Sequence, residues 1–171
     1  MNIVILATGG TFDKEYNELD GSLYFRKTHI QEMLAKGRCR LSVRIQVVMM
    51  KDSLEMTEQD RRQIVDICNT CEESRIVITH GTDTMEHTAR FLAAKVHGKT
   101  IVITGAMVPY TFGSSDGLFN LGSALSFVQT LPAGIFVAMN GCIFGADEVY
   151  KDKQRGIFQR RKAEPGVAGD V

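Results

Sequence analysis

Several short stretches of this chain place hydroxyls, carboxylates and amines just where an apolar run ends. The first is Thr8-Gly9-Gly10-Thr11, behind Ile3-Val4-Ile5-Leu6. A glycine turn after a strand commonly cradles a phosphate. Phosphate loops continue into more glycine or into Gly-Lys-Ser/Thr, whereas this one continues Phe12-Asp13-Lys14-Glu15-Tyr16. Later runs end on Lys51-Asp52-Ser53, on His80-Gly81-Thr82-Asp83-Thr84, on Gly105-Ala106-Met107-Val108-Pro109 and on Asn140-Gly141, with Asp147–Lys151 close behind. Apart from Lys51 and Lys151 these stretches hold little positive charge, so the set suits a small polar zwitterion better than a polyphosphate. A threonine hydroxyl becomes a nucleophile only beside a base. Glycine beside it lets a substrate approach the backbone and offers N–H groups to a developing oxyanion. Thr82 and Asp83 with a lysine would form a second hydroxyl with a proton acceptor, provided desolvation lowers the lysine's pKa.

Each stretch also has a structural reading. Thr8–Thr11 alone reads as a tight turn with capping hydroxyls, and His80–Asp83 equally as a helix N-cap. His80 reads as a satisfied structural histidine, Lys151 alone as a solvated surface lysine, and Ser114-Ser115-Asp116 as a cap. Met49, Met50, Met85, Met107 and Met139 read as core. Only the joint order and position of the stretches favour chemistry.

The elements that would position them follow from periodicity. Ile3–Ala7, Ile45–Met50, Ile76–Thr79, Ile101–Thr104 and Ile135–Met139 are short, mainly apolar runs, the pattern of strands covered on both faces. Helical spacing lies between them at His29–Lys36, Thr57–Glu73, Thr84–Val96 and Leu118–Leu131. Thr57 with Asp60 resembles a capping box with Asp in place of Glu. The alternation predicts an α/β fold, an open and mostly parallel sheet with helices on both faces, of Rossmann or flavodoxin type. Such sheets bind ligands beyond the carboxyl ends of their strands. Thr11–Phe25 is polar and without helical period, and reads as a hairpin or mobile loop turning at Asp20-Gly21. The predicted domain spans residues 1–161, with 162–171 a frayed tail.

The chain has 171 residues, formal net charge zero, 44% hydrophobic and 23% charged residues. That suits one domain able to bury about 70% of its unfolded surface. Neutrality argues against nucleic acid or an acidic membrane surface as partner. No signal peptide pattern opens the chain, and no apolar run reaches the roughly 18 residues of a membrane span, so a cytoplasmic location is expected. Cys68 and Cys71 form a Cys-x-x-Cys without a second pair to complete a zinc site, and no metal or organic cofactor is expected.

"TGGT", "DSLEMT", "HGTDTMEHTA", "TGAMVP", "SSDGLFNL" and "MNGCIFGADEVYK" resemble, in order, the motifs of bacterial-type L-asparaginases. The resemblance covers nearly all of residues 3–155. It implies hydrolysis of L-asparagine to L-aspartate and ammonia through a threonine acyl-enzyme. It implies Thr11 as nucleophile, with Gly10 beside the substrate. Thr82, Lys151 and Asp83 would be the second hydroxyl, its activator and its orienting partner. Asp83 would also receive the substrate α-ammonium, and Ser53 the α-carboxylate. The family uses a tyrosine from the segment after the nucleophile. Tyr16, spaced as in a short-chain branch, is favoured, and Tyr24, spaced as in the long enzymes, is the alternative. The chain ends before the family's carboxy-terminal domain, so a homodimer or higher oligomer is implied. Leu54 stands where the family often has Gln. Two other functions remain open: an amidase for glutamine or a larger amide, and a catalytically weak amino-acid-binding or regulatory module.

Overall fold

The computed structural model describes residues 1–161, so the expected tail, 162–171, lies outside the described residues. Ten strands and four α-helices follow one another: β1 (Asn2–Gly9), β2 (Lys14–Tyr16), β3 (Leu23–Phe25), α1 (Ile30–Lys36), β4 (Ser42–Lys51), α2 (Glu58–Thr70), β5 (Arg75–Thr79), α3 (Met85–Ala93), β6 (Thr100–Thr104), α4 (Gly117–Thr130), β7 (Gly134–Met139), β8 (Cys142–Gly145), β9 (Val149–Asp152) and β10 (Ile157–Arg160). All five expected strands and all four expected helices form. Two of the helices stop three residues short of their periodic windows, at Thr70 and Ala93.

The central sheet has the order β4-β1-β5-β6-β7-β8. Five strands are parallel, and β8 turns back antiparallel on β7. β1 is buried from Ile3 to Gly9, which is why its sequence shows no polar alternation. Its side chains still divide by parity. Val4 and Leu6 join Ile64, Cys68, Met85 and Leu92 of α2 and α3. Ile3 and Ile5 join Ile30 and Met33 of α1 and Leu121 and Val128 of α4. The result is three layers with two helices on each face, the predicted α/β architecture.

The five parallel strands, counted in chain order, lie 2-1-3-4-5. The switch point therefore falls between β1 and β5, where the connections leave in opposite directions and open a crevice. Crossovers β1–α1–β4, β4–α2–β5 and β5–α3–β6 share one hand. β6–α4–β7 advances in the same direction as β5–α3–β6, yet α4 lies on the opposite face. It therefore has the opposite hand, against the strong preference for right-handed units. The consequence is local: the loop before α4 crosses toward the end of β1. There Tyr110 is buried with Phe12 and Met33.

Thr11–Phe25 forms a hairpin. A 3-10 turn, Thr11–Asp13, leads into β2, which pairs with β3 in the register Lys14↔Phe25, Glu15↔Tyr24 and Tyr16↔Leu23. Its reversal runs from Asn17 to Ser22, with Gly21 at φ +75. The hydrophobic pattern did not show this ribbon, because β2 and β3 are short and their side chains are largely exposed. The turn signal at Asp20-Gly21 did announce it, whereas the second antiparallel ribbon, β9 with β10, was unforeseen.

Candidate active site

Thr8 and Thr11 flank the glycine turn but differ in use. Thr8 is fully buried, and its hydroxyl donates to the Thr79 carbonyl at 2.8 Å, tying β1 to β5. Thr11 is half-buried and opens the 3-10 turn. Phe12 beside it is fully buried, which fixes the turn at a gain of about 2 kcal/mol of burial energy. Gly10, at φ +78, lies so close to Gly81 that any side chain there would strike its backbone. Two backbones touch where only glycines allow it, and this brings the turn after β1 beside the turn after β5.

The second group is assembled across the fold. Lys151 Nζ lies 2.8 Å from Thr82 Oγ1 and 2.7 Å from Asp83 Oδ1. Lys151 is only 7% exposed and Thr82 5%, whereas the Asp83 side chain is 42% exposed. The lysine is thus no solvated surface residue. It sits on β9, opposite Phe158 of β10, and its own N–H donates to the Glu86 carboxylate of α3 at 2.9 Å. The β9–β10 ribbon thus brings this amine back to the turn after β5. A buried amine against a hydroxyl can pass or take the hydroxyl proton, and Asp83 holds it in place while keeping an exposed face for a cationic group.

Ser53 lies in a 3-10 turn after β4. It is 1% exposed, and its Oγ is buried with no hydrogen-bond partner among the described residues. A buried hydroxyl left unpaired is costly, and here it lies against the backbone of Gly81, next to Thr82. Asp52 beside Ser53 takes an ion pair from Lys14 of the hairpin. Burial raises the Asp52 carboxyl, but that pair and the Leu54 N–H outweigh it and leave it below its ordinary value.

The two tyrosines are not equivalent. In a two-stranded ribbon, residues two apart share a face, so Tyr16 shares the face of Lys14 and Tyr24 that of Glu15. Lys14 reaches Asp52, beside Ser53. Glu15 instead reaches His29 at 3.2 Å, on the α1 side, and Tyr24 Oη donates to Glu15 at 3.4 Å. Tyr16 is 57% exposed with its ring edge-on to Phe112. Neither tyrosine hydrogen-bonds Thr11 among the described residues.

His80 is fully buried with both ring nitrogens engaged, and burial pushes it down to about 4. It is structural, as the sequence suggests. Asp116 differs from the expected cap. It makes no capping bond to α4 and instead accepts the N–H groups of Met107 and Val108, while Ser115 accepts the Gly117 N–H. Arg61 drew no attention in the sequence, and Asp13 only as part of the run after the glycine turn, yet both are buried. Asp13 accepts from the His29 N–H at 2.9 Å and so ties the Thr11 turn to the start of α1; burial raises its carboxyl. No group of three or more potential metal ligands is found among the described residues, and no helix there is long and apolar enough to cross a membrane.

Comparison with known proteins identifies the family and the fold. The family model described as "Asparaginase, N-terminal" matches residues 2–165. A glutaminase-asparaginase of Acinetobacter glutaminasificans is 35% identical over 167 residues, covering 88% of this chain and 49% of the relative. A probable periplasmic L-asparaginase of Haemophilus influenzae is 33% identical over 180 residues, covering 99% of this chain and 52% of the relative. The solved structure of the thermostable L-asparaginase from Thermococcus kodakarensis superposes with a TM-score of 0.83 at 29% identity, over 94% of this chain and 51% of that one. The chain thus spans about half the length of the relatives it matches. On the match over residues 2–165, this chain belongs to the asparaginase family, and those residues correspond to that family's N-terminal domain.

Proposed function

We propose that this chain hydrolyses the side-chain amide of L-asparagine to L-aspartate and ammonia. The observation that carries the reading is the convergence of three hydroxyls, Thr11, Thr82 and Ser53, with Asp83 and a buried lysine at the β1/β5 switch point. In this reading Ser53 takes the α-carboxylate and Asp83 the α-ammonium. The substrate amide then lies between Thr11 and Thr82. Thr11 attacks the amide carbon and the turn at Gly10 supplies backbone N–H groups to the oxyanion. The Lys151–Thr82 pair moves protons as ammonia leaves and as water attacks the aspartyl ester. Tyr16 supplies the phenol, because its ribbon face is the one turned to the Asp52–Ser53 side.

The names of the relatives support amide hydrolysis and leave two substrates, asparagine and glutamine, in play. They differ by one methylene, which packing discriminates by only about 10–200-fold. Leu54 is exposed beside Ser53 and brings no polar group to the α-carboxylate, so asparagine should be preferred but weakly bound. The test is ammonia release from asparagine, glutamine and a peptidyl amide, with Thr11→Ala alongside. Release from asparagine that Thr11→Ala abolishes is the expected result. Equilibrium binding of aspartate without turnover would instead favour an amino-acid-binding module.

A further inference from the structure

Arg61 of α2 is 4% exposed, and among the described residues it forms no ion pair. Its neighbour Asp60 is engaged by Lys51 and Thr57 instead. The guanidinium donates to the Met56 carbonyl at 2.9 Å and to the Thr57 carbonyl at 3.2 Å. Its other two contacts lead to the site. Nε lies 3.0 Å from Thr88 Oγ1, and Nη2 lies 3.1 Å from Thr84 Oγ1.

Proton bookkeeping fixes both routes. A guanidinium only donates, so each threonine oxygen accepts from Arg61 and must send its own proton onward. Thr84 donates to the Ser53 carbonyl at 2.9 Å. Thr88 meets His80 Nε2 at 2.9 Å, so that nitrogen is the acceptor. The His80 proton is then on Nδ1, which lies 2.7 Å from the Gly81 carbonyl, a group that can only accept. The far end of the chain therefore demands the same tautomer as the near end. Two one-way chains start at Arg61 and finish on the carbonyls of Ser53 and Gly81, the residues that touch each other beneath the crevice.

We propose that Arg61 is a positioning residue for amide hydrolysis: one buried cation that holds the Ser53 turn through Thr84 and the Gly81–Thr82 turn through Thr88 and His80. The assignment of kinetic consequences rests on the amidohydrolase reading; the hydrogen-bond chains do not. Charging His80 would turn Nε2 into a donor and leave the Thr88 hydroxyl proton without its acceptor, and it would place a second positive charge near Arg61, so the cation also favours the neutral ring. Its charge acts in the same direction as burial.

The two arms of the test separate these points. Nitrogen-15 NMR of the ligand-free protein reads the tautomer, and His80→Gln assigns the ring among the four histidines. The expected result is a neutral Nδ1–H ring, and in Arg61→Met a ring that takes up its second proton at higher pH. An Nε2–H ring in the wild type, or an unchanged titration in Arg61→Met, overturns the proposal. In the kinetic arm, Thr84→Val should raise KM by roughly tenfold, the worth of one lost hydrogen bond, with kcat nearly unchanged. Thr88→Val should lower kcat, up to about a hundredfold for a misplaced reactive group, with KM nearly unchanged, and Arg61→Met should do both. Equal effects of the two threonine variants on both constants would overturn it. A wild type that turns over no amide would count against the amidohydrolase reading alone, because the NMR arm needs no substrate.

Discussion

At the scale of single residues, the pair Lys151–Thr82 is the sharpest object in the molecule. Lys151 looked like a surface lysine from sequence spacing, because the segment around it carries Asp147, Glu148, Asp152 and Lys153. Its burial depends on a ribbon partner, Phe158, and on Glu86 from α3, and no local pattern encodes either contact. Thr82→Val or Lys151→Met is expected to lower kcat by at least about a hundredfold, the range of a positioned proton-transfer group. The double variant should be little worse than either single one, since the two act as a unit; additive losses in steady-state kinetics would separate them. The ribbon faces make a second prediction. Tyr16→Phe removes a hydroxyl from the face turned to Asp52, and Tyr24→Phe one from the face turned to α1. Tyr16→Phe should therefore cost much more kcat, and the reverse order would place the role on Tyr24.

At the scale of elements, legibility followed burial. Four of the five apolar runs became buried strands, whereas Ile45–Met50 lies in the edge strand β4, none of whose residues is buried, and the Thr57–Asp60 capping box formed as its spacing predicted, with Thr57 N donating to Asp60 at 2.7 Å and Asp60 N to Thr57 at 3.2 Å. The two ribbons were harder to read, because three- and four-residue strands carry too few positions for an alternation to show. The hand of β6–α4–β7 was not readable at all, since helix periodicity says which face of α4 is apolar but not which side of the sheet it meets. The turn after β5 gives the element-scale prediction. His80 is neutral in the folded state, burial having taken it from 6.5 to about 4. A depressed histidine contributes stability that is fully present above its unfolded value and is lost as pH falls toward the folded one. The window is thus pH 6.5 down to about 4, and the loss is on the order of 3 kcal/mol at about 1.4 kcal/mol per unit. Thermal melts across that window should show a steep fall in Tm that flattens in His80→Gln. A wild type with flat Tm from pH 6.5 to 4 would show that the ring protonates freely in the fold.

At the scale of the whole molecule, the crevice edge is unevenly finished. The inner side is closed, with Ser53, Thr82 and Lys151 buried. On the neighbouring hairpin and loops several apolar side chains are exposed. Leu54 is 67% exposed beside Ser53, Tyr16 and Leu19 are exposed on the hairpin, and Phe112 is half exposed against Tyr16. Scattered apolar side chains are ordinary, but exposed ones that pack on each other, as Tyr16 and Phe112 do, are candidates for a contact surface. A chain of net charge zero has no strong self-repulsion to oppose association. A closed pair of copies related by a two-fold axis is the simplest partner, since the same patch then covers itself. It would shield the substrate from water at the face where Asp83 is exposed, and shielding strengthens every charge contact within the site. The expected outcome is a dimer or higher oligomer by light scattering, with specific activity falling on dilution below its dissociation constant. Leu54→Asp with Phe112→Ser should shift that midpoint to higher protein concentration while circular dichroism stays native. A monomer that keeps full specific activity at the lowest measurable concentration would show that one copy closes its own site, and the hairpin alone would then have to supply the cover.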